Sequence, residues 1–509
     1  MDTPLTEPEL VAALRRDLAA SGYTVEGVDA VLGPVAAAAL DREQILPALR
    51  AVAGSDAPAS PLTSAFLLAA AVPRADLERA LPTLGVTGAA RLGLVAATGA
   101  ADDDEVRALV DLRPYASVDR DDEVAWWIAS DLGELATGGA LRTDHVLGVG
   151  GASTTLAQVT VRRPVARVLD LGTGCGIQSL HASRHAGHVT ATDISPRALA
   201  FARFNAALAG VEANGTSLDL RLGSMLEPVA GERFDLVVSN PPFVITPRRG
   251  DVPTYEYRDA GRTGDAVVRD LVTSVGRVLA PGGVAQLLGN WEIRRGERWD
   301  ERVGQWLDES GLSGWVVQRE LQDPAQYAET WIRDGGTTPD REPESWREQY
   351  GAWLDDFASR DVEAIGFGIV TLVDDGRGSH RLEEVTGAVR QPLGPAIAAA
   401  LAARAAYPSV TDVVGLRLTV AADVTEERYL TPGESDPQVI LLRQGDGFGR
   451  TVQAGTALAG LVGACDGDLT VGQIVTALAA LLDRPADDVA AEVLPAVYGM
   501  VVDGLLSVR

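Results

Sequence analysis

The residues best suited to chemistry lie at the ends of three predicted strands. The first group is the turn Asp170-Leu-Gly-Thr-Gly-Cys-Gly176, between a buried strand and a helix. Its glycines let the backbone approach a ligand closely, and the helix N-terminus offers free N–H groups. A dinucleotide fingerprint has the spacing G-x-G-x-x-G, whereas this turn has D-x-G-x-G-x-G. The acidic residue before the glycines suits a cationic amino-acid moiety better than a pyrophosphate. A tight turn without a ligand is the alternative.

The second group follows the next two strands. Asp193 ends the strand in TATDIS, where a carboxylate can accept both hydroxyl groups of a ribose. Helix capping is the alternative role for Asp193. Ser224 and Met225 follow the third strand, where a side chain would reach the edge of an adenine. An ordinary strand end is the alternative there.

The third group is Asn240-Pro241-Pro242-Phe243, at the end of the fourth strand in FDLVVSNPPF. Two prolines cannot continue a strand ladder, so the loop is stiff and its carbonyl groups are left unpaired. The Asn240 side-chain oxygen and the Pro241 carbonyl can accept hydrogen bonds from a planar NH2 group, and Phe243 offers a face for stacking. Holding the group in this way orients its nitrogen toward a sulfonium methyl group. These four residues are the predicted catalytic set.

A predicted alternation of strands and helices, beginning near Val165, positions these groups. ARVLDLG is a buried strand and IQSLHASRHA a helix, and HVTATDIS and SPRALAFARFNAALAG repeat that pattern. Five further strands are predicted in LDLRLGSM, FDLVVSNPP, GGVAQLLGNWE, GWVVQREL and AIGFGIVTLVDD. Such alternation predicts an α/β fold with a Rossmann-like, doubly wound sheet of seven strands. Because the carboxyl ends of parallel strands meet at one edge, the three groups should face one crevice.

Residues 165 to about 300 resemble class I S-adenosylmethionine (SAM)-dependent methyltransferases that methylate nitrogen. In that group the motif Asn/Asp-Pro-Pro-Phe/Tyr/Trp marks amino-methylating enzymes. The resemblance implies that SAM is the cofactor and that Asn240 to Phe243 line the acceptor site. It also implies a SAM site lined by Asp170, Gly172, Thr173, Gly174, Gly176, Asp193, Ile194, Ser224, Met225 and Asn240.

Within that family, two kinds of acceptor stay open. The order of parts along the chain is similar to that of release-factor glutamine methyltransferases, with a helical N-terminal region, a strand pair and then the catalytic domain. The segment Tyr257-Arg-Asp-Ala-Gly261-Arg-Thr-Gly264 is also similar to a segment of those enzymes. The third motif ends in Phe243 instead of Tyr, as in several RNA adenine and guanine methyltransferases. About 130 C-terminal residues fit neither group. The acceptor is therefore either a protein glutamine or an RNA base.

The composition is that of an ordinary folded protein. The chain has 509 residues, 46% hydrophobic and 23% charged, which suggests about three domains. A net charge of −27 repels nucleic-acid phosphates at long range. Cys175 and Cys465 are far apart, so no disulfide framework is expected. The first residues do not resemble a secretory signal, and no apolar run is long enough to span a bilayer, so a cytoplasmic location is expected.

The chain divides into four predicted parts. Residues 1–100 form a helical N-terminal domain, 101–164 a small β-rich connector, 165–378 the methyltransferase domain and 379–509 an α+β C-terminal domain. Two amphipathic helices after a strand pair predict that the last part is winged-helix-like. Residues 466–509 hold seven acidic side chains and two arginines. That balance favours an interaction or dimerisation role over nucleic-acid reading, and the oligomeric state stays open.

Two further groups of side chains carry weaker signals. Segment 244–264 is locally basic, with four arginines, Arg248, Arg249, Arg258 and Arg262. Such a loop suits an RNA phosphate or an acidic peptide, and an ordinary solvated loop is the alternative. Three histidines near one helix have no Cys or carboxylate partners at metal-ligand spacing, namely His181, His185 and His188. No metal is therefore predicted.

The leading hypothesis is a SAM-dependent methyltransferase that modifies an amide or exocyclic amino nitrogen of a macromolecule, either protein or RNA. The alternative is a SAM-binding interaction module without catalysis, whose outer domains bind a partner. Substitution of Asn240 by Ala separates the two, because only a catalyst should lose turnover. An NAD-linked dehydrogenase is disfavoured by the glycine spacing and by the NPPF motif.

Overall fold

The computed structural model describes residues 3–119, 122–133, 141–248, 255–259 and 261–509. Contacts group the chain into two compact units. The first unit comprises Met1–Ala157 and Arg163–Thr386, and the second comprises Gln158–Arg162 and Gly387–Arg509. The four parts predicted from the sequence stay a prediction, because this grouping divides the chain only in two.

The N-terminal part of the first unit is mostly helical but also contains short strands. Its helices are α1 (Pro8–Ala20), α2 (Val25–Leu40), α3 (Leu46–Ala53), α4 (Ser60–Leu62), α5 (Arg74–Ala80) and α6 (Gly85–Arg91), with a π-helical turn at Thr63–Leu67. Its strands are β1 (Val72–Pro73), β2 (Val95–Ala97), β3 (Glu105–Ala108), β4 (Asp111–Asp119) and β5 (Asp122–Ser130). Strands β1, β3 and β2 form one small sheet, and β4 and β5 form an antiparallel hairpin. Strands β3, β4 and β5 lie within residues 101–164, for which the sequence predicts a small β-rich connector.

The central sheet of the first unit has eight strands within the described ranges. They are β6 (Val165–Leu171), β7 (Ala186–Asp193), β8 (Ser217–Leu222), β9 (Phe234–Ser239), β10 (Leu279–Arg294), β11 (Ser313–Gln322), β12 (Val362–Val373) and β13 (His380–Glu384). Their order across the sheet is β13-β11-β12-β10-β9-β6-β7-β8. Strands β6 to β10 are parallel neighbours, and β12 is antiparallel to both β10 and β11. The α/β fold class predicted from the sequence is confirmed.

The eighth strand differs from the seven that the sequence predicts. β13 pairs in parallel with β11 at the edge of the sheet, from Gly314 opposite His380 to Gln318 opposite Glu384. It begins just beyond residue 378, where the sequence pattern ends the predicted methyltransferase domain. Because β11 would otherwise expose a row of unpaired backbone groups, β13 covers that edge.

Among the described residues, one helix precedes the first strand of the sheet along the chain, and six helices connect its strands. These are α7 (Gly151–Val159), α8 (Ile177–Ala182), α9 (Pro196–Ala209), α10 (Ala266–Ser274), α11 (Trp299–Ser310), α12 (Pro324–Asp334) and α13 (Pro343–Ala358). The direction of winding reverses at β6, which pairs with β7 on one side and with β9 on the other. In open α/β sheets, ligands bind outside the carboxyl ends of the strands at such a reversal. The three predicted groups of residues lie at that position.

One hydrophobic core joins the N-terminal helices to helices α8 and α9. Leu18 of α1 and Phe66 belong to the same buried cluster as Phe201 and Phe204 of α9, and each of the four is fully buried. The Asn205 side chain of α9 is bonded to the backbone of Ala129 in β5 through both its oxygen, at 2.8 Å, and its nitrogen, at 2.9 Å. The N-terminal part therefore packs as a layer on the sheet's helices.

The second unit contains both helices and small sheets. Its helices are α14 (Gly394–Ala406), α15 (Thr456–Gly463), α16 (Val471–Leu481) and α17 (Ala486–Val502). Its strands are β14 (Arg417–Val420), β15 (Val424–Tyr429), β16 (Val439–Gln444), β17 (Thr451–Ala454), β18 (Asp466–Thr470) and β19 (Leu506–Val508). They form two three-stranded sheets, β18-β14-β19 and β15-β16-β17. The winged-helix-like assignment stays a prediction.

In the part of the chain that the structure describes, no single helix combines the length and apolar character of a membrane span. The bent pair α1 and α2 meets those two criteria only when both helices are taken together.

Candidate active site

The glycine turn between β6 and α8 leaves room for a ligand at two of its three glycines. Gly172 and Gly174 have φ angles of +72° and +55°, and a Cβ atom on either would meet no other atom within 4 Å. Gly176 has a φ of +90°, and its Cβ would lie 3.0 Å from the Cα of Ala202 in α9. The first two glycines therefore face open space, while the third allows close packing of a helix.

Asp170 lies behind this turn, and it is not part of the cavity wall described below. Its side chain is buried, and Oδ2 accepts hydrogen bonds from Thr173 Oγ1 at 2.6 Å and from Ser179 Oγ at 2.7 Å. Burial raises the pKa of its carboxyl group to about 6. In this geometry Asp170 braces the glycine turn. The direct contact with a cationic ligand group that the sequence suggests stays a prediction.

Asp193, at the end of β7, faces the cavity with its carboxylate held in place. Oδ2 accepts the N–H of Gly174 at 2.9 Å, and Oδ1 accepts the N–H of Ser195 at 2.8 Å. Burial raises the pKa of Asp193. Each carboxylate oxygen has a further lone pair that a ribose hydroxyl can use. The next residue, Ile194, also lines the cavity and is 62% exposed.

The chain after β8 contributes Ser224 and Met225 to the same wall. Met225 has a φ of +48°, which is uncommon for a residue with a side chain. Such backbone conformations occur preferentially at functional sites, where the surrounding structure maintains them. The structure thus brings both residues to the position that the sequence predicts.

The chain after β9 brings three of the four predicted catalytic residues into the wall. Asn240, Pro241 and Pro242 line the cavity, and the Asn240 Oδ1 atom is buried without a hydrogen-bond partner among the described residues. Phe243 does not line it. Its ring lies 6.4 Å from the ring of Trp331 in α12, at an interplanar angle of 79°. The geometry therefore gives no support for Phe243 as a stacking platform in the cavity.

A second segment, residues 255–259, runs beside the NPPF motif and is called the acceptor loop here. The N–H of Val244 donates to the carbonyl of Arg258 at 2.9 Å, and Phe243 pairs with Asp259 in an isolated β-bridge. The Tyr255 hydroxyl donates to the carbonyl of Gly335, just after α12, at 3.0 Å. The acceptor loop is therefore fixed both to the catalytic motif and to the helical insertion formed by α12 and α13.

The loop arginines are paired with carboxylates of the same chain. Arg248 donates to Asp259 at 2.6 Å and Arg258 donates to Asp334 at 2.7 Å. Arg262 lies 3.7 Å from Asp270. Arg249, which the sequence groups with them, is outside the described residues. The three described arginines are thus engaged within the protein, so the basic character that the sequence suggests is largely neutralised.

Together these segments enclose a cavity of about 750 Å³. The predicted residues that line it are Gly172, Thr173, Gly174, Asp193, Ile194, Ser224, Met225, Asn240, Pro241 and Pro242. Asp170, Gly176 and Phe243 support these residues from outside the wall. The volume is within the range of about 300–1,000 Å³ that is typical of small-molecule sites. No group of three or more His, Cys, Asp or Glu side chains in the described ranges is arranged to hold a metal ion.

Sequence reasoning missed several lining residues that come from segments without a motif. They include His145, Leu147, Ser153, Gln178 and Glu256. His145, Leu147 and Ser153 precede Asp170 of the glycine turn by 17 to 25 residues, and Glu256 follows Phe243 by 13 residues. No signal in one sequence would have identified them, because their proximity depends on how the loops fold over the strand ends.

Two family models match this chain. Residues 148–306, which contain most of the cavity, match the "Methyltransferase small domain". Residues 20–109, in the N-terminal part, match the "Domain of unknown function (DUF7059)". The first match covers the glycine turn, Asp193 and the NPPF motif.

Three curated bacterial proteins illustrate the similarity. A release factor glutamine methyltransferase of Deinococcus radiodurans is 40% identical over 129 residues, covering 24% of this chain and 44% of the relative. A ribosomal protein uL3 glutamine methyltransferase of Bradyrhizobium diazoefficiens is 31% identical over 196 residues, covering 36% of this chain and 59% of the relative. A ribosomal RNA small subunit methyltransferase C of Alcanivorax borkumensis is 31% identical over 144 residues, covering 28% of this chain and 36% of the relative.

The chain spans between 36% and 59% of the length of these relatives. The similarity to these relatives is therefore partial. It confirms the resemblance to class I SAM-dependent N-methyltransferases that the glycine turn, Asp193 and NPPF indicate. Residues 148–306 of this chain match the methyltransferase small domain.

Proposed function

We propose that this chain is a SAM-dependent methyltransferase that transfers a methyl group to an amide or exocyclic amino nitrogen of a macromolecule. The methyltransferase small domain supports the reaction class. The relatives described above are named for glutamine and ribosomal RNA methylation, which supports nitrogen as the acceptor atom. A cytoplasmic site of action follows from acceptors of this kind, and it belongs to the same proposal.

The cavity fits SAM at its glycine-turn end. Gly172 and Gly174 leave open space beside the backbone. The carboxylate of Asp193 is fixed by two N–H groups and offers its remaining lone pairs to ribose hydroxyls. Ile194 is exposed enough to lie against an adenine face. When bound, SAM supplies an electrophilic methyl group on a sulfonium centre.

One observation carries the choice of acceptor: Asn240 Oδ1 is buried in the cavity wall without a partner. Leaving a buried acceptor unsatisfied costs about 1–3 kcal/mol, so the site favours a ligand that donates a hydrogen bond there. A planar NH2 group does so. Pro241 and Pro242 keep the loop stiff, so the bound nitrogen is held in one orientation and little entropy is lost during the reaction.

We favour a protein amide over an RNA base as the acceptor. Arg248 and Arg258 form ion pairs with Asp259 and Asp334 at 2.6 and 2.7 Å, which weakens their attraction for phosphates. The net charge of −27 also opposes association with RNA. An RNA base is the second candidate, because Asn240 would hold an exocyclic amine equally well and one relative is named for ribosomal RNA.

The test uses the purified chain, labelled SAM and an extract of the source cell that lacks this gene. The Asn240→Ala variant should keep the affinity for SAM and transfer label about 100-fold more slowly, as found when a single polar group is removed from a catalytic site. The exposed Asn214, outside the cavity, gives the matched control Asn214→Ala, which should behave as the wild type.

Three results would contradict the proposal or part of it. Undiminished transfer by Asn240→Ala would remove Asn240 from the reaction. Binding of SAM without any transfer by the wild type would favour an interaction module. Label that nuclease removes and protease does not would make RNA the acceptor.

A further inference from the structure

The imidazole of His145 is part of the cavity wall but of none of the motifs. His145 lies in segment 141–150, which precedes α7, and it is 6% exposed. Its ring is 6.1 Å from that of Tyr257 in the acceptor loop, at an interplanar angle of 69°. The nearby carbonyl of Thr143 accepts a 3.0 Å hydrogen bond from the N–H of Glu256. Because that loop pairs with the chain just after the NPP residues, His145 lines the cavity on the side of the acceptor loop.

Both ring nitrogens of His145 are available for a ligand. The nearest carboxylate oxygen, Asp131 Oδ2, is 3.9 Å from Nδ1, which is too far for a hydrogen bond. Asp131 is engaged instead by the Arg197 guanidinium and by the N–H of Val146, the latter at 2.8 Å. Neither nitrogen of His145 forms a hydrogen bond with any residue in the described ranges. A buried imidazole in this condition is suited to a partner inside the cavity.

The charged groups around His145 come from four elements. They are Asp131 after β5, Asp144 in the same segment, Arg197 in α9 and Asp334 at the end of α12. The three carboxylates favour the protonated ring, whereas burial and Arg197 oppose it. Burial is the largest effect and holds the pKa of His145 below its ordinary value of 6.5. The ring is therefore neutral at pH 7, with one nitrogen free to accept a proton.

We propose that His145 is the proton acceptor of the methyl-transfer reaction and contacts the acceptor nitrogen directly. This inference rests on the proposed function, since it assigns a role within the same site. The role depends on the position of segment 141–150 beside the acceptor loop, to which it is joined by the hydrogen bond between Thr143 and Glu256. It also gives a use to a buried imidazole that lines the cavity without a side-chain hydrogen bond among the described residues.

The step balances as follows. The acceptor nitrogen forms a bond to the methyl carbon, while the carbon–sulfur bond breaks and leaves its electron pair on sulfur. The nitrogen then gives up one proton to the unprotonated ring nitrogen of His145, which becomes an imidazolium. Asp131, at 3.9 Å from Nδ1, stabilises that positive charge. Water takes the proton when the ring returns to its neutral form.

The experiment compares the wild type with His145→Ala and His145→Gln in transfer of tritiated methyl from SAM to whole extract of the source cell lacking this gene. We expect both variants to bind SAM as the wild type does and to transfer at least about 100-fold more slowly. Added imidazole should restore part of the rate in His145→Ala, because the missing ring leaves space for it. The wild-type rate should fall at acidic pH as His145 becomes protonated, and His145→Gln should lose that fall in rate.

A matched control is His188→Ala, which removes a histidine outside the cavity. Its rate and pH profile should stay those of the wild type. If His145→Ala transfers normally across pH 5.5–8, or if imidazole does not rescue it, His145 is not the proton acceptor, while the proposed function stands. If the wild type transfers no methyl group, the proposed function is wrong, and this inference is wrong as well.

Discussion

The hydroxyl group of Tyr257 donates a hydrogen bond of 2.8 Å to Oδ2 of Asp334. The same oxygen accepts Arg258 Nη1 at 2.7 Å. Two consecutive side chains of the acceptor loop thus converge on one carboxylate at the end of α12. Because Tyr257 also contacts His145, this carboxylate indirectly sets the position of the wall at which the acceptor nitrogen is expected to bind.

Asp334→Ala should therefore impair methyl transfer without changing the affinity for SAM. Loss of both hydrogen bonds releases Tyr257 and Arg258, and a small misplacement in an active site costs up to about 100-fold in rate. Transfer of labelled methyl and calorimetric titration with SAM measure the two effects. The exposed Asp340 provides the control Asp340→Ala. Unchanged transfer by Asp334→Ala would show that α12 does not position the loop.

Gly172→Ala should weaken SAM binding, and the loss of folding stability alone should not account for that effect. Gly311 is a matched control, because it has a φ of +67° against +72° for Gly172, and neither would bring a Cβ within 4 Å of another atom. An added side chain strains either backbone by roughly 1–2 kcal/mol. Only the Cβ at position 172 would enter the cavity. Thermal unfolding should report similar losses for both variants, and titration should report at least about 10-fold weaker SAM binding for Gly172→Ala alone. Equal SAM affinities would contradict the assigned site.

Asp170→Asn should change how stability depends on pH. The folded-state pKa of Asp170 is about 6, above the ordinary 3.8, so the folded protein holds this proton more tightly than the unfolded chain does. Raising the pH from about 4 to 6 therefore lowers the wild-type free energy of unfolding, by up to about 1.4 kcal/mol per pH unit from this group.

Because asparagine does not titrate, Asp170→Asn should gain stability relative to the wild type across that range and keep a constant difference above it. Urea unfolding of the SAM-free protein at pH 4, 5, 6 and 7 measures the difference. The control variant Asp29→Asn, at an exposed position, should leave the pH dependence of the free energy of unfolding unchanged. A difference that does not vary with pH would mean that Asp170 is ionised throughout.

Leu18→Ala should destabilise the methyltransferase sheet although Leu18 lies in α1. Leu18 and Phe204 are both fully buried in one hydrophobic cluster, and truncating a buried leucine costs about 2–5 kcal/mol. We expect one unfolding transition in urea, with the same midpoint by tryptophan fluorescence and by loss of SAM binding, shifted to lower urea in the variant. Leu46→Ala, at a side chain that is 58% exposed, should shift it little. Separate transitions would show that the N-terminal part folds independently.

The strands that hold the site could be predicted from the sequence because their apolar runs end at distinctive residues. Leu171, Asp193 and Ser239 end β6, β7 and β9, as the positions of the glycine turn, TATDIS and NPPF require. The parallel order of these strands then brings the motifs to one edge. Local composition sufficed here, since each motif directly follows the strand that positions it.

What could not be predicted depends on side-chain contacts that the motifs do not specify. Asp170 suggests a ligand contact by its place in the motif, yet its carboxyl group is taken up by Thr173 and Ser179. Phe243 suggests a stacking face, yet its ring packs toward Trp331, 88 residues away along the chain. His145 has no motif at all. In each case the orientation of a side chain is decided by a neighbour whose identity only the folded chain supplies.

The insertion of α12 and α13 has a consequence for how this enzyme's specificity can change over evolution. It occupies the connection between β11 and β12, which are antiparallel neighbours, so a short hairpin would be sufficient to join them. Lengthening, shortening or replacing the insertion would leave the strands that carry the glycine turn and Asp193 in register. It would nevertheless alter the support of the acceptor loop through Asp334. It would also alter the support of the chain just after NPPF, because the Tyr327 hydroxyl accepts the N–H of Ile245 at 3.0 Å. Natural variation in this one connection can thus recruit new acceptors while the methyl donor site is inherited unchanged.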